Sequence, residues 1–309
     1  MKTGKNARCI RLFRRIFQGL SVVVFVMFLP LTSSSYEILL GTGGTGSFSH
    51  FAGKTLCRLI SAGPDLSCRT IPASDNTDNL TNLRSGSLDV ALVDSRMFYD
   101  ALKGKGYFRY LDIAYDNLNP LAALYNIPVV LVTRADAKML TLDDLKGKRI
   151  NMGVPLSRQY LAADSVLQAK GWTEKDFSLV QNLSANHAQD TLAFSSGTIQ
   201  AMFHIGVHPD PDLDQLLKRT RAKLVSMDDL DIEKMVHGDD ALTSVTIQAG
   251  SYSTNPKMLK TFASRMLLVT TTDLDDDTVR SIEDAVFHHG ETLKKVHPSF
   301  VPVKENGTP

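Results

Sequence analysis

Residues 36–47 read "YEILLGTGGTGS", and "FSHFAGKTLCRLISAG" follows at 48–63. An apolar run, a glycine turn and then apolar residues at helical spacing (Phe48, Phe51, Ala52, Leu56, Leu59, Ile60) open an α/β layer, strand to turn to helix. Gly41, Gly43 and Gly46 also satisfy G-x-G-x-x-G, the pattern that seats a dinucleotide pyrophosphate on a helix start. The acid that binds the ribose belongs about 20 residues further on, at the end of a second strand. Asp65 has that distance but sits in the turn "SAGPDLSC". The motif therefore reports something more general. A glycine turn running into a helix leaves the first N–H groups without intrahelical partners and concentrates partial positive charge there. Such a terminus accepts a pyrophosphate or a small carboxylate alike. Gly43, Gly44 and Gly46 let the backbone approach, and Thr42, Thr45 and Ser47 add hydroxyl donors. The bland alternative is a tight strand-to-helix turn that holds nothing.

The first 35 residues carry Lys2, Lys5, Arg8, Arg11, Arg14 and Arg15, no acid, then "GLSVVVFVMFLPL" and "TSSS". Basic, apolar, then small polar is the order of a secretory signal, with cleavage expected near Ser34 or Ser35, or else of an uncleaved amino-terminal anchor. The apolar run is short of the roughly 20 residues of a spanning helix. Export speaks against a dissociable nicotinamide cofactor, which has no maintained pool outside the cytoplasm, and no cofactor is expected. With six of the 34 basic residues in the leader, the remainder carries 28 against 33 acidic residues, a net charge of about −5. That balance gives no basic stripe for nucleic acid. Cys57 and Cys68, 11 residues apart, can close a disulfide in an oxidising compartment or stay as small buried thiols. Two cysteines alone make no metal site.

Farther on the α/β grammar repeats. "SCRTIPA" reads as a strand, "SDNTDNLTNLRSGS" as a helix with Ser74 as N-cap, and "LDVALVDS" as a strand buried on both faces. "NPLAALYNIPVVLVTRA" is a long strand whose Pro128 argues for a crossing or an edge. "TLDDLKGKRINMGV", "SRQYLAADSVLQAKGW" and "ANHAQDTLAFSSGTIQAMFHIG" give short helix and strand, helix, then helix and strand. "DLDDDTVRSIEDAVFHHGETLKKV" reads as one amphipathic helix, and "VPVKENGTP" as a frayed tail. "NLRSGSLDVALVD" and "AFSSGTIQAMFHI" share one plan, so two similar α/β units follow one another without a fixed repeat.

"GTGGTGS" (41–47), "LRSGSLDVALVDS" (83–95), "LKGKGYF" (102–108), "LAALYNIPVVLVTRADA" (121–137), "LDDLKGKRINMGVP" (142–155), "GTIQAMFHIGVHP" (197–209) and "LLVTTTDLDDDTV" (267–279) together resemble TAXI-type solute-binding proteins, the extracytoplasmic receptors of one class of TRAP transporters. The resemblance covers nearly all of the chain after its leader. It implies a two-lobed periplasmic-binding-protein fold of the second type, each lobe a sheet flanked by helices. Lobe one would take residues 36–128 and 256–309, and lobe two 129–255. It further implies a periplasmic, non-enzymatic receptor that closes on a small, carboxylated organic anion and hands it to TRAP permease subunits. A periplasmic sensor using the same cleft is the alternative, motivated by departures from the family pattern.

Those departures fall among the candidate ligand contacts, which open α/β layers present at the carboxyl ends of strands. Asp94, Ser95 and Arg96 stand where the family usually shows an amide, a serine and an acid. Arg96 can grip a ligand carboxylate bidentately or pair with Asp94 or Asp100. Tyr125 and Asn126 precede Pro128, where a glutamate is common. Leu156, Arg158 and Gln159 replace most of a glycine-rich helix start and leave Ser157. Arg158 at a helix amino end opposes the dipole and calls for an anionic partner. His204 and His208 follow the strand "QAMF" as structural residues or, for His208, a further contact. G-x-S-x-G and H-E-x-x-H are both missing from the sequence.

Overall fold

The structure, a computed structural model, describes residues 35–73, 76–183 and 187–305. The leader, up to residue 34, and the N-cap expected at Ser74 lie outside the described residues. The chain divides into two units, Met1–Tyr36 and Glu37–Pro309, and the fold below is that of the second. β1 (Tyr36–Thr42) turns into α1 (Phe48–Ile60), β2 (Leu66–Pro72) precedes α2 (Asn76–Arg84), and β3 (Val90–Asp94) runs directly into α3 (Ser95–Leu102). The long β4 (Leu118–Arg134) is followed by β5 (Arg149–Asn151), α4 (Arg158–Ala169), β6 (Leu179–Gln181), α5 (His187–Ser196) and β7 (Ala201–Ile205). Then come α6 (Pro211–Thr220), β8 (Ala222–Val225), α7 (Leu230–His237) and β9 (Leu242–Ile247). β10 (Leu259–Thr271), α8 (Asp276–Phe287), α9 (Gly290–Val296) and β11 (Phe300–Lys304) complete it.

The strands form one mixed sheet with the path β2-β1-β3-β10-β4-β7-β5-β6. Parallel pairing joins β1 to β3, and β5 to β6 and β7. Between those two parallel pieces run β4 and β10, antiparallel to each other over most of their length. Both change partners midway. β4 pairs with β11 at Ala122–Tyr125 and with β7 from Val129. β10 pairs with β9 up to Ser264 and with β3 from Met266. Helices cover both faces, so the buried strands are largely apolar, as in β3, whose five residues are all buried and, before Asp94, all apolar.

The cores divide at the same place. Two clusters of buried apolar side chains draw on residues before Val129 and after Arg265, including Leu40, Leu56, Val93 and Leu268. The other two draw on residues between Val129 and Phe262, including Ile150, Val166, Phe194 and Phe203.

Three expectations need correction. Of the crossing or edge expected at Pro128, the edge is not found: β4 runs through it with neighbours on both sides and changes partners there. Its carbonyl accepts from Gly206 N–H on the β7 side, so its missing N–H falls on that same side, in the gap where β11 has stopped and β7 has yet to begin. The tail is not frayed at 300–304, because β11 pairs with β4. The last helix is two helices, α8 and α9, interrupted around His288–Gly290; glycine is a poor helix residue and two short helices can turn there. Cys57 and Cys68 are bonded, with Cα atoms 4.8 Å apart, tying α1 to β2.

Candidate functional site

β3 ends in Asp94, and the chain enters α3 without a loop, so a carboxylate at the strand's carboxyl end becomes the helix N-cap. Its Oδ1 accepts the Arg96 N–H at 3.0 Å. Its Oδ2 accepts from Ser264 Oγ at 2.9 Å and from Arg158 Nη2 at 3.0 Å. The carboxylate is buried, with 5% of the side chain exposed, while Arg158 is about half exposed at 48%. Arg158 is the first residue of α4, in the other half of the fold. The anionic partner that its unfavourable place at a helix amino end calls for is therefore Asp94, brought from a separate parallel piece of the sheet.

Around this pair runs a polar seam. Arg96 Nη1 meets Asp239 at 2.8 Å and Nη2 donates to Ser165 Oγ at 3.2 Å. Ser95 is buried; its hydroxyl donates to Ala241 O at 2.6 Å and accepts Arg265 N–H at 2.9 Å. Lys103 reaches Asp240 at 2.9 Å. Asp100 lies near enough for Arg96 to act on it electrostatically, yet burial pushes its carboxyl above the ordinary range. Asp239 and Asp240 carried no local signal in the sequence, since their partners lie about 140 residues away in the chain.

Asp94, Arg96, Arg158 and Ser264 line a crevice floored by Val129, Ile205, Leu242 and Phe262, with Met97 and Leu161 at its sides. Its volume is ≈ 50 Å³, room for a water molecule or two at about 30 Å³ each. Arg158 uses one nitrogen toward Asp94. A guanidinium has five N–H donors in a fixed fork, so the rest can take an oxyanion.

The other candidate residues lie around this crevice or away from it. Ser157 is the N-cap of α4, accepting Tyr160 N–H. Gln159 is buried and packs against Gly153, whose φ of +89° leaves no room for a side chain. Tyr125 is buried beside Phe48 and Phe300; burial raises its phenol well above the usual range, with Arg158 and Asp94 acting on it. Gly43–Ser47 do not line the crevice. Their turn is closed on itself: Ser49 Oγ accepts Gly43 N–H, and Ser47 Oγ accepts His50 N–H. An added Cβ at Gly43 would lie 2.6 Å from Ser49 Oγ, whereas Gly46 has nothing within 4 Å.

Asn126 alternates with Tyr125 along β4 and is exposed. With His208 it borders a separate groove of ≈ 450 Å³ that also includes Thr246, Gln248 and Ser299. His208 is bonded to Tyr252 through Nδ1. Burial, with His204 close by, lowers its imidazole to about 3. His204 pairs with Asp210 at 2.9 Å. Burial acts to raise Asp210, but the His204 contact and the N–H groups of Leu213 and Asp212 outweigh it and hold the acid at about 2. Among the described residues no group of three or more His, Cys, Asp or Glu is placed to hold a metal ion.

Residues 40–306 match the sequence pattern of the NMT1-like family. The chain belongs to that family. Among solved structures it is similar to a TctC solute-binding protein from Polaromonas, at 15% identity over 89% of this chain and 93% of that one, TM-score 0.60. It is also similar to PhnD1 from Prochlorococcus marinus in complex with methylphosphonate (14% identity, 88% and 93% covered, TM-score 0.54). A third likeness is to the periplasmic aliphatic sulphonate-binding protein SsuA from Escherichia coli (13% identity, 89% and 83% covered, TM-score 0.51). The fold of this NMT1-like protein is that of the periplasmic binding proteins.

Proposed function

We propose that this protein is an extracytoplasmic solute-binding receptor that captures a small organic anion between two lobes and delivers it to a membrane permease, without chemistry on the solute. The observation that carries this reading is the Arg158 guanidinium, half exposed at a crevice and held by a carboxylate from the other half of the fold. Lobe one is taken as 36–128 and 256–309, lobe two as 129–255. The division of the buried clusters supports the first boundary and, for the second, favours a position nearer Ser264–Met266. Bending at the partner change on β4 and β10 would open the seam, and differential contacts in the closed state would set affinity.

The resemblance to TAXI-type proteins makes TRAP permease subunits the proposed partner, and the basic, apolar leader makes the periplasm the proposed location. The three structural neighbours support solute binding as the class of function; two of them are named for phosphonate or sulphonate ligands, so the head group is an oxyanion, carboxylate included. Thermal shift of residues 36–309 against carboxylates, phosphonates and sulfonates tests it. A bound anion at about 100 times its Kd adds about 2.7 kcal/mol of stability, and Arg158→Ala removes the shift. Stabilisation by cations or neutral sugars alone would refute it.

A further inference from the structure

Resting on the receptor reading, we infer that the solute is an amphiphilic monoanion, a single oxyanion head with an apolar body, and not a polycarboxylate. Two properties of the crevice lead there. The first is its charge. Arg158 and Arg96 are its two cations, and each is already matched by a carboxylate, Asp94 and Asp239. Asp94 is fixed from two further sides, by Ser264 and by the Arg96 N–H, so it stays in place when the seam loosens. One added negative charge can share the Arg158 fork with Asp94. A second or third would face Asp94, Asp239 and Asp100 with no unmatched cation in the crevice lining to receive it.

The second property is the rest of the wall. Apart from Asp94, Arg96, Arg158 and Ser264, every lining residue is apolar. Val129 and Phe262 are buried, whereas Met97, Ile205 and Leu242 are partly open and Leu161 is 40% exposed. The loop leading into Arg158 carries further exposed apolar side chains. Leu156 is 84% exposed and Val154 43% exposed. Leu156 also sits at φ +68°, a backbone region that favours glycine and strains a leucine. An exposed leucine held in a strained conformation two residues before the anion-binding arginine gains nothing for folding. It does provide apolar surface two residues before a lining arginine of a crevice whose remaining wall is apolar.

The test is a chain-length series measured by calorimetry on residues 36–309, which include the compact unit Glu37–Pro309 with all four buried clusters. Straight-chain carboxylates and sulfonates from two to eight carbons are compared with succinate and citrate. Kd is expected to fall about fourfold per added methylene over several carbons, the factor that about 0.8 kcal/mol per buried CH₂ corresponds to. Leu161→Ser and Leu156→Gly are expected to flatten that slope, while Leu192→Ser, an exposed leucine on α5, leaves it intact. Melting curves confirm that each variant is folded. Tighter binding of succinate or citrate than of hexanoate and hexanesulfonate overturns the amphiphile and leaves the receptor reading standing. No binding of any anion overturns both.

Discussion

Asp94 does three things at once: it caps α3, accepts from Ser264 and matches Arg158. Replacing it by Asn keeps one acceptor and loses the charge, so Asp94→Asn should cost about 2 kcal/mol. This is less than the roughly 3–5 kcal/mol of a fully buried pair, because Arg158 is half exposed. Urea unfolding midpoints measure it, and an unchanged midpoint would remove Asp94 from its central place. The glycines of the opening motif separate in the same assay. Gly43→Ala must displace Ser49 and should cost roughly 1–3 kcal/mol, whereas Gly46→Ala, with open space around it, should be neutral or slightly stabilising. The motif that opened the chain is thus a strand-to-helix turn braced by Ser47 and Ser49, with Gly44, Thr45 and Gly46 exposed. Sequence could not separate a ligand loop from a plain turn, because both need the same glycines.

At the scale of elements, the turn between β7 and α6 carries a pH dependence. His208 stays neutral in the folded state down to about pH 3, while unfolded it protonates near pH 6.5. Between those values the unfolded state binds the extra proton, so stability falls as pH is lowered, by about 2 kcal/mol at pH 5. Burial works to raise Asp210, but its His204 contact and the N–H groups of Leu213 and Asp212 hold it at about 2, so it adds stability above pH 3.8 that disappears as pH falls toward 2. Melting temperature against pH should drop below pH 6.5, and His208→Gln should flatten the curve between pH 4.5 and 6.5; an identical curve would contradict the assignment. Elements with a clear local pattern were legible: α1 by its periodicity, α4 within "SRQYLAADSVLQAKGW", and β3 by its apolar run. β8, β9 and β11 were not, since short edge strands owe their existence to pairing with the middle of the chain.

For the whole molecule, the two long strands contribute buried side chains to both core groups, and the polar seam joins those groups on the crevice side. Loosening the seam with Arg96→Ala and Lys103→Ala should raise the radius of gyration in solution scattering, and saturating anion should lower it again. The α/β class could be read from the sequence. Residue pairs such as Arg96 with Asp239 could not, because the fold alone brings them together. The most direct measurement is a crystal structure of residues 36–309 with its bound anion. The anion's oxygens are expected within hydrogen-bond distance of the Arg158 guanidinium, between α4 and the β3–α3 junction. An anion seated instead in the Asn126–His208 groove or on the glycine turn, with the Arg158–Asp94 pair undisturbed, would contradict the account.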